Sequence, residues 1–206
     1  MTREWDNYQS VNNRAEWRIE NLKLKRFAGQ DKTLLDLGAN QGQFGIQLSK
    51  HFKHITAVEP FVPAPELPEN ISWFKKSFKE FITETNNTYD VVFSFATTRE
   101  IRNNDKLNED QIAKGHYDLV KPNGILIYET HILDTGINLD MLKRIEQAKK
   151  KGTTIISSSA QTIADMREHT DKMLKAFKEL FGEYIETGNG RTIGKRKYYI
   201  YAKHNR

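Results

Sequence analysis

The densest group of chemically suggestive residues is Asp36-Leu37-Gly38-Ala39-Asn40-Gln41-Gly42, which breaks an apolar run and opens onto Gln43-Phe44. Gly38 lets a chain leaving a buried strand turn sharply. Gly42 lets a following helix begin close to a ligand with no Cβ in the way. Asn40 tolerates left-handed backbone better than other non-glycine residues do. Asp36, at the strand end, can accept hydrogen bonds or face a ligand's positive charge. A second acid, Glu59, closes the next apolar run, Ile55-Thr56-Ala57-Val58. Alone, the loop is a tight strand–helix turn and Glu59 a solvated charge. Together they suit a nucleoside, because a carboxylate ending the second strand can accept both hydroxyls of a ribose.

The chemistry narrows the nucleoside further. A dinucleotide site favours three glycines, so that backbone N–H groups can face a pyrophosphate. Here Asn40 takes the middle position, and Asp36 adds negative charge where phosphate would lie. That arrangement repels a pyrophosphate and suits a ligand carrying an ammonium and a sulfonium. S-adenosylmethionine is favoured over NAD.

With these residues in place, the chain resembles the class I S-adenosylmethionine-dependent methyltransferases over roughly residues 34–129. The resemblance implies a Rossmann-like fold, methyl transfer and S-adenosyl-L-methionine as cofactor. It implies that Asp36, Gly38, Asn40 and Gly42 hold the cofactor's methionine end and that Glu59 takes the ribose. Phe61 would pack on the adenine, and Ser77 and Phe78 would lie at its edge. The strand-four motif corresponds to Tyr89-Asp90-Val91-Val92 through Phe95, and Leu119-Val120-Lys121-Pro122-Asn123-Gly124 to the helix-to-strand-five signature.

Methyl transfer from a sulfonium is an in-line displacement that needs a positioned nucleophile and sometimes a base. Candidates on the acceptor side follow strands four and five: Arg99, Glu100, Glu129 and His131. Glu129 and His131 flank a single residue, so on a strand they point the same way. His131 can take a proton from a hydroxyl, its ordinary pKa being about 6.5; Glu129 and Arg99 would assist. The structural reading of the same residues is that His131 caps a strand and Arg99 pairs with Glu100. Phe95-Ala96-Thr97-Thr98 stands where family members acting on nucleobase amines carry Asn/Asp-Pro-Pro-Tyr/Phe, so the resemblance counts against that substrate. The expected acceptor is a polar one, an oxygen of a small molecule or saccharide. No acidic or histidine cluster has metal-ligand spacing.

The elements that position these residues follow from periodicity. Residues 11–27 show helical spacing, with Val11, Ala15, Ile19 and Leu22 as the stripe. Short strands are expected at 33–37, 55–58, 71–74, 89–96 and 125–129. Helices are expected at 44–52 and 78–82, one polar helix follows strand four, and others cover 137–148 and 162–181. Thr162 and Asp165 have capping-box spacing, and Gly182 reads as a stop. Residues 184–187 and 197–202 form a terminal hairpin. The expected fold is α/β: a Rossmann-like, doubly wound, mostly parallel seven-stranded sheet with one antiparallel strand near the C-terminus and helices on both faces. It forms a single methyltransferase domain over 1–206, with a helical extension at 1–30 and a substrate-side insertion at 135–160.

Composition bounds the alternatives. The chain has 206 residues, 37% of them hydrophobic and 29% charged, ordinary values for a folded domain. There is no cysteine, which excludes thiolate metal sites, disulfides and covalent attack on pyrimidine carbon-5 by a cysteine. No run is long or apolar enough for a signal peptide or a membrane span, and a cytoplasmic location is expected. The formal charge of +5 is more than accounted for by residues 190–206, which carry Arg191, Lys195, Arg196, Lys197, Lys203 and Arg206 and no acid. A basic hairpin leaves RNA methylation as an alternative. A non-catalytic nucleoside-binding protein of the same fold is the other.

Overall fold

The computed structural model describes residues 8–131, 157–191 and 196–204. The elements run α1 (Tyr8–Asn21), β1 (Gly29–Leu37), α2 (Gln43–Leu48), β2 (Phe52–Val58), β3 (Ile71–Phe74), α3 (Phe78–Glu84), β4 (Tyr89–Phe95), α4 (Thr98–Asp105), α5 (Glu109–Leu119), β5 (Val120–His131), α6 (Ser157–Phe181), β6 (Glu186–Arg191) and β7 (Arg196–Ala202). Among the described residues seven strands form one sheet in the order β3-β2-β1-β4-β5-β7-β6. Strands β1 to β5 pair in parallel, and β7 runs antiparallel to both neighbours. This is the expected doubly wound sheet with one reversed strand.

The central strands are apolar on both faces because both faces are covered. Leu34 and Leu35 are consecutive on β1, and they enter opposite cores. Leu35 joins Val92, Leu126, Tyr128 and the α6 residue Phe177. Leu34 joins Phe93, Ile127, Ile200, Ile19 of α1 and Leu22 just beyond that helix.

Several boundaries differ from the sequence reading. The helix expected at 11–27 breaks where Lys23 turns left-handed (φ 48°), and a 3-10 turn at Leu24–Phe27 follows it. The polar helix after β4 is two helices, parted at left-handed Lys106. The fifth strand, expected to begin at 125, takes in Lys121-Pro122-Asn123-Gly124 as well, with Asn123 at φ 62° and a register shift against β4. Helix α6 begins at Ser157, so Thr162 lies inside it rather than at its cap, and Asp165 is engaged elsewhere. Gly182 does end that helix, at φ 87°. The helix expected at 137–148 and most of the insertion at 135–160 lie outside the described residues, as do Trp5 and the basic run Lys149-Lys150-Lys151.

Candidate functional site

The strand order reverses between β1 and β4, and at such a point the loops leaving the carboxyl ends part to leave a crevice. A cleft of about 1000 Å³ opens there. It is lined by the loops after β1, β2, β3 and β4 together with Arg18 of α1 and Arg196 of β7. Sequence reasoning placed candidate residues on all four of those loops.

The loop after β1 is fixed from two sides. The N–H groups of Gly38 and Ala39 both donate to the Val58 carbonyl, at 2.9 and 3.1 Å. Gly38 holds φ 71°, and a Cβ there would sit 2.1 Å from the Thr97 methyl on the loop after β4. Gly38 is thus required by backbone angle and by the close approach of the two loops. Asn40 follows at φ 53° and Gly42 at φ 77°.

Thr97 is held in turn by a buried relay. His116 Nδ1 lies 2.7 Å from the Ile112 carbonyl, which can only accept, so Nδ1 carries the proton. Nε2 therefore accepts from the Ser94 hydroxyl at 3.0 Å, and Ser94 accepts from Thr97 at 2.9 Å. Burial pushes His116 down to about 4, which keeps the ring neutral and the relay intact.

Two carboxylates face this loop. Asp36 is 2% exposed, and its Oδ2 has no hydrogen-bond partner. Burial first, and then the nearby charge of Glu59, push its carboxyl up to about 7, with Arg18 opposing them. Glu59 is 7% exposed rather than solvated. Its Oε2 accepts the Asn40 N–H at 3.0 Å, and its Oε1 accepts those of Phe61 at 2.8 Å and Val62 at 3.3 Å. The two loops are thereby tied together. A carboxylate has about four acceptor positions, so the remaining capacity lies mainly on Oε2.

The other expected residues are distributed around the cleft. Phe61 stands at its mouth, 68% exposed. The Ser77 hydroxyl caps α3 by accepting the Glu80 N–H at 3.3 Å, while Glu80 accepts the Ser77 N–H at 2.8 Å. Phe78 is buried and stacks on the His116 ring with centroids 4.9 Å apart. Phe95 packs against Phe44 at 4.9 Å. Arg99 lines the cleft and donates to Asp165 of α6 at 3.4 Å, where the sequence suggested Glu100. Arg102 of α4 holds the same Asp165 through two bonds of 2.8 and 2.7 Å.

Glu129 is not presented to the cleft. It is 0% exposed and receives both Nε (2.8 Å) and Nη2 of Arg18. The Arg18 guanidinium also lies over the Phe44 and Phe95 rings, at 5.7 and 5.3 Å. His131 ends β5 opposite Arg196, and its side chain is outside the described residues.

Sequence reasoning missed Arg18, Gln43, Ser94 and His116. Arg18 falls on the apolar stripe between Ala15 and Leu22, where a charge calls for a buried partner. Ser94 is the polar residue inside an apolar strand. His116 stands one turn after buried Ile112, and Gln43 follows directly on Gly42.

The terminal hairpin carries less free charge than its composition suggests. Lys203 donates to the carbonyls of Tyr117 (2.8 Å) and Val120 (2.7 Å), and Arg196 approaches Glu129 at 4.0 Å. Among the described residues no helix is long and apolar enough to cross a membrane.

A family model described as a methyltransferase domain matches residues 12–171. Comparison with curated proteins finds no match. Among solved structures, the N-methyltransferase NodS from Bradyrhizobium japonicum WM9 superposes with a TM-score of 0.60 at 13% identity, over 92% of this chain and 96% of that one. Its complex with S-adenosyl-L-homocysteine gives 0.57 at 13% identity, over 96% and 98%. The plantazolicin methyltransferase BamL, solved with a triazolic desmethylPZN analogue and S-adenosyl-homocysteine, gives 0.60 at 11% identity, over 98% and 93%. These likenesses speak to the fold; the family match covers most of the chain. The chain belongs to the methyltransferase-domain family, in the class I, S-adenosylmethionine-dependent form.

Proposed function

We propose that this methyltransferase moves the methyl group of S-adenosylmethionine onto a polar acceptor, an oxygen of a small molecule or saccharide. The observation that carries the reading is the pair of buried carboxylates, Asp36 and Glu59, on either side of one glycine turn in one cleft. Asp36 has an unpaired oxygen in a desolvated position, which suits an ammonium. Glu59 retains acceptor capacity on Oε2, which suits one ribose hydroxyl more readily than two. Gly38, Asn40 and Gly42 shape the turn around the methionine end. Phe61 would cover the adenine, with the 77–78 segment at its edge. The bound cofactor supplies an electrophilic methyl on its sulfonium.

The protein's own part is to bind, orient and exclude water. Phe44 and Phe95 form an aromatic wall next to Arg18. Arg99, held by Asp165, lines the acceptor side and would orient a polar group there. Glu129 acts through Arg18 as a positioning residue rather than as a base, and His131 remains the proposed proton acceptor.

Calorimetry with S-adenosylmethionine, S-adenosyl-homocysteine and NAD tests the cofactor reading. Binding of the first two and not NAD is expected, with Asp36→Ala and Glu59→Ala each losing it while remaining folded. Affinity surviving both substitutions would sink the site assignment. A transfer assay with labelled cofactor across alcohols, saccharides and RNA tests the acceptor, and labelling of RNA alone would overturn the small-molecule reading.

A further inference from the structure

Gln43 begins α2 directly after the glycine turn and lines the same cleft as Asp36. It is 2% exposed, yet neither its Oε1 nor its Nε2 has a hydrogen-bond partner. A buried primary amide with both ends unsatisfied is unusual in a folded protein, because native interiors pair nearly all such groups. An apolar residue of similar size would fill the space without that cost. The Oδ2 of Asp36, which lines the same cleft, is unsatisfied in the same way. Two orphaned groups in one cleft, one purely accepting when ionised and one both donating and accepting, form a complementary surface for a zwitterion.

We infer that Gln43 is a specificity residue that reads the amino-acid end of the methyl donor. Its Nε2 donates to the α-carboxylate, and its Oε1 shares the ammonium with Asp36. The inference rests on the donor proposed above and adds a residue to it. It also gives the site a way to distinguish a donor with an intact aminobutyrate tail from adenosyl thioethers that lack one. Glu59 and the 77–78 segment treat both kinds alike.

The test is Gln43→Leu, measured with S-adenosyl-homocysteine and with 5′-methylthioadenosine, which lacks the amino-acid end. The variant is expected to bind S-adenosyl-homocysteine about tenfold more weakly, the loss of one or two hydrogen bonds. Its affinity for 5′-methylthioadenosine should be unchanged. Its ligand-free melting temperature should rise, because an unsatisfied amide has gone. A purely structural role for Gln43 would instead lower the melting temperature and weaken both ligands together, which overturns the inference. Unchanged affinity for S-adenosyl-homocysteine overturns it as well. If the unsubstituted protein binds neither ligand, the donor reading itself has failed, and that outcome is visible before any variant is made.

Discussion

Asp36 is a carboxyl group held where its charge is unwelcome, buried beside Glu59 with only Arg18 in opposition. Its pKa rises from 3.8 to about 7 in the fold, so the folded state holds the proton more tightly than the unfolded chain. The ligand-free protein is therefore helped by Asp36 at low pH and loses that contribution as pH climbs from 3.8 to about 7. A ligand carrying an ammonium has the opposite preference, since that group needs the ionised carboxylate. Affinity for S-adenosyl-homocysteine is expected to fall about tenfold per pH unit below neutrality. In Asp36→Asn it should be weak and nearly independent of pH. Calorimetric titrations on either side of neutrality measure this, and parallel profiles for the two proteins would show that another group controls binding. His116 works in the reverse sense. Its pKa is lowered from 6.5 to about 4, so its contribution to stability is intact above 6.5 and is lost as pH falls from there toward 4.

Helix α1 is fastened to the sheet by an ion pair set in aromatic surroundings. Ala15, Ile19 and Leu22 bury its apolar stripe, and Arg18 on the same side reaches Glu129 at the end of β5. Breaking such a pair from one side leaves a buried charge behind, at about 3–5 kcal/mol, whereas replacing both partners by apolar groups is often close to neutral. Arg18→Met and Glu129→Leu should each lower stability by amounts approaching that range, and the double variant should recover most of the loss. Urea melts of the four proteins read the coupling, and additive losses would mean that the pair is not acting as a unit. The same element shows what sequence can and cannot convey. The 3.6-residue period of Ala15, Ile19 and Leu22 gave the helix and its inward face, and the continuous apolar runs gave the strands. The Asp36-to-Gly42 loop and Glu59 were legible because local backbone demands select glycine, asparagine and acids at fixed places. The partners of Glu129 and Asp165 were not, because pairing Arg18 with Glu129 or Arg102 with Asp165 depends on tertiary approach between residues far apart in sequence. Left-handed breaks at Lys23 and Lys106 were also hidden, since lysine carries no signal for that conformation.

Across the molecule, charge is distributed less simply than the sum of +5 implies. Composition places the excess on the C-terminal hairpin, yet part of that hairpin's charge is used to close the fold. Lys203 follows β7 and sets its ammonium between the carbonyls of Tyr117 and Val120, where α5 ends, with the Tyr117 ring 4.1 Å away. A cation at a helix C-terminus satisfies carbonyls that the helix leaves open and complements its dipole. Lys203 thus joins the reversed last strand to the helix that precedes β5, two regions that no local signal connects. Lys203→Met should cost about 1.5–3 kcal/mol, the usual range for hydrogen bonds from a charged group, and should lower the melting temperature by several degrees. If the lysine served a polyanion instead, its removal would leave stability nearly unchanged and flatten the salt dependence of RNA binding, because each lost phosphate contact removes about one released counterion. Thermal melts and a salt titration on the same variant separate the two roles. The expected result is a less stable protein whose turnover on a small acceptor keeps the salt dependence of the parent.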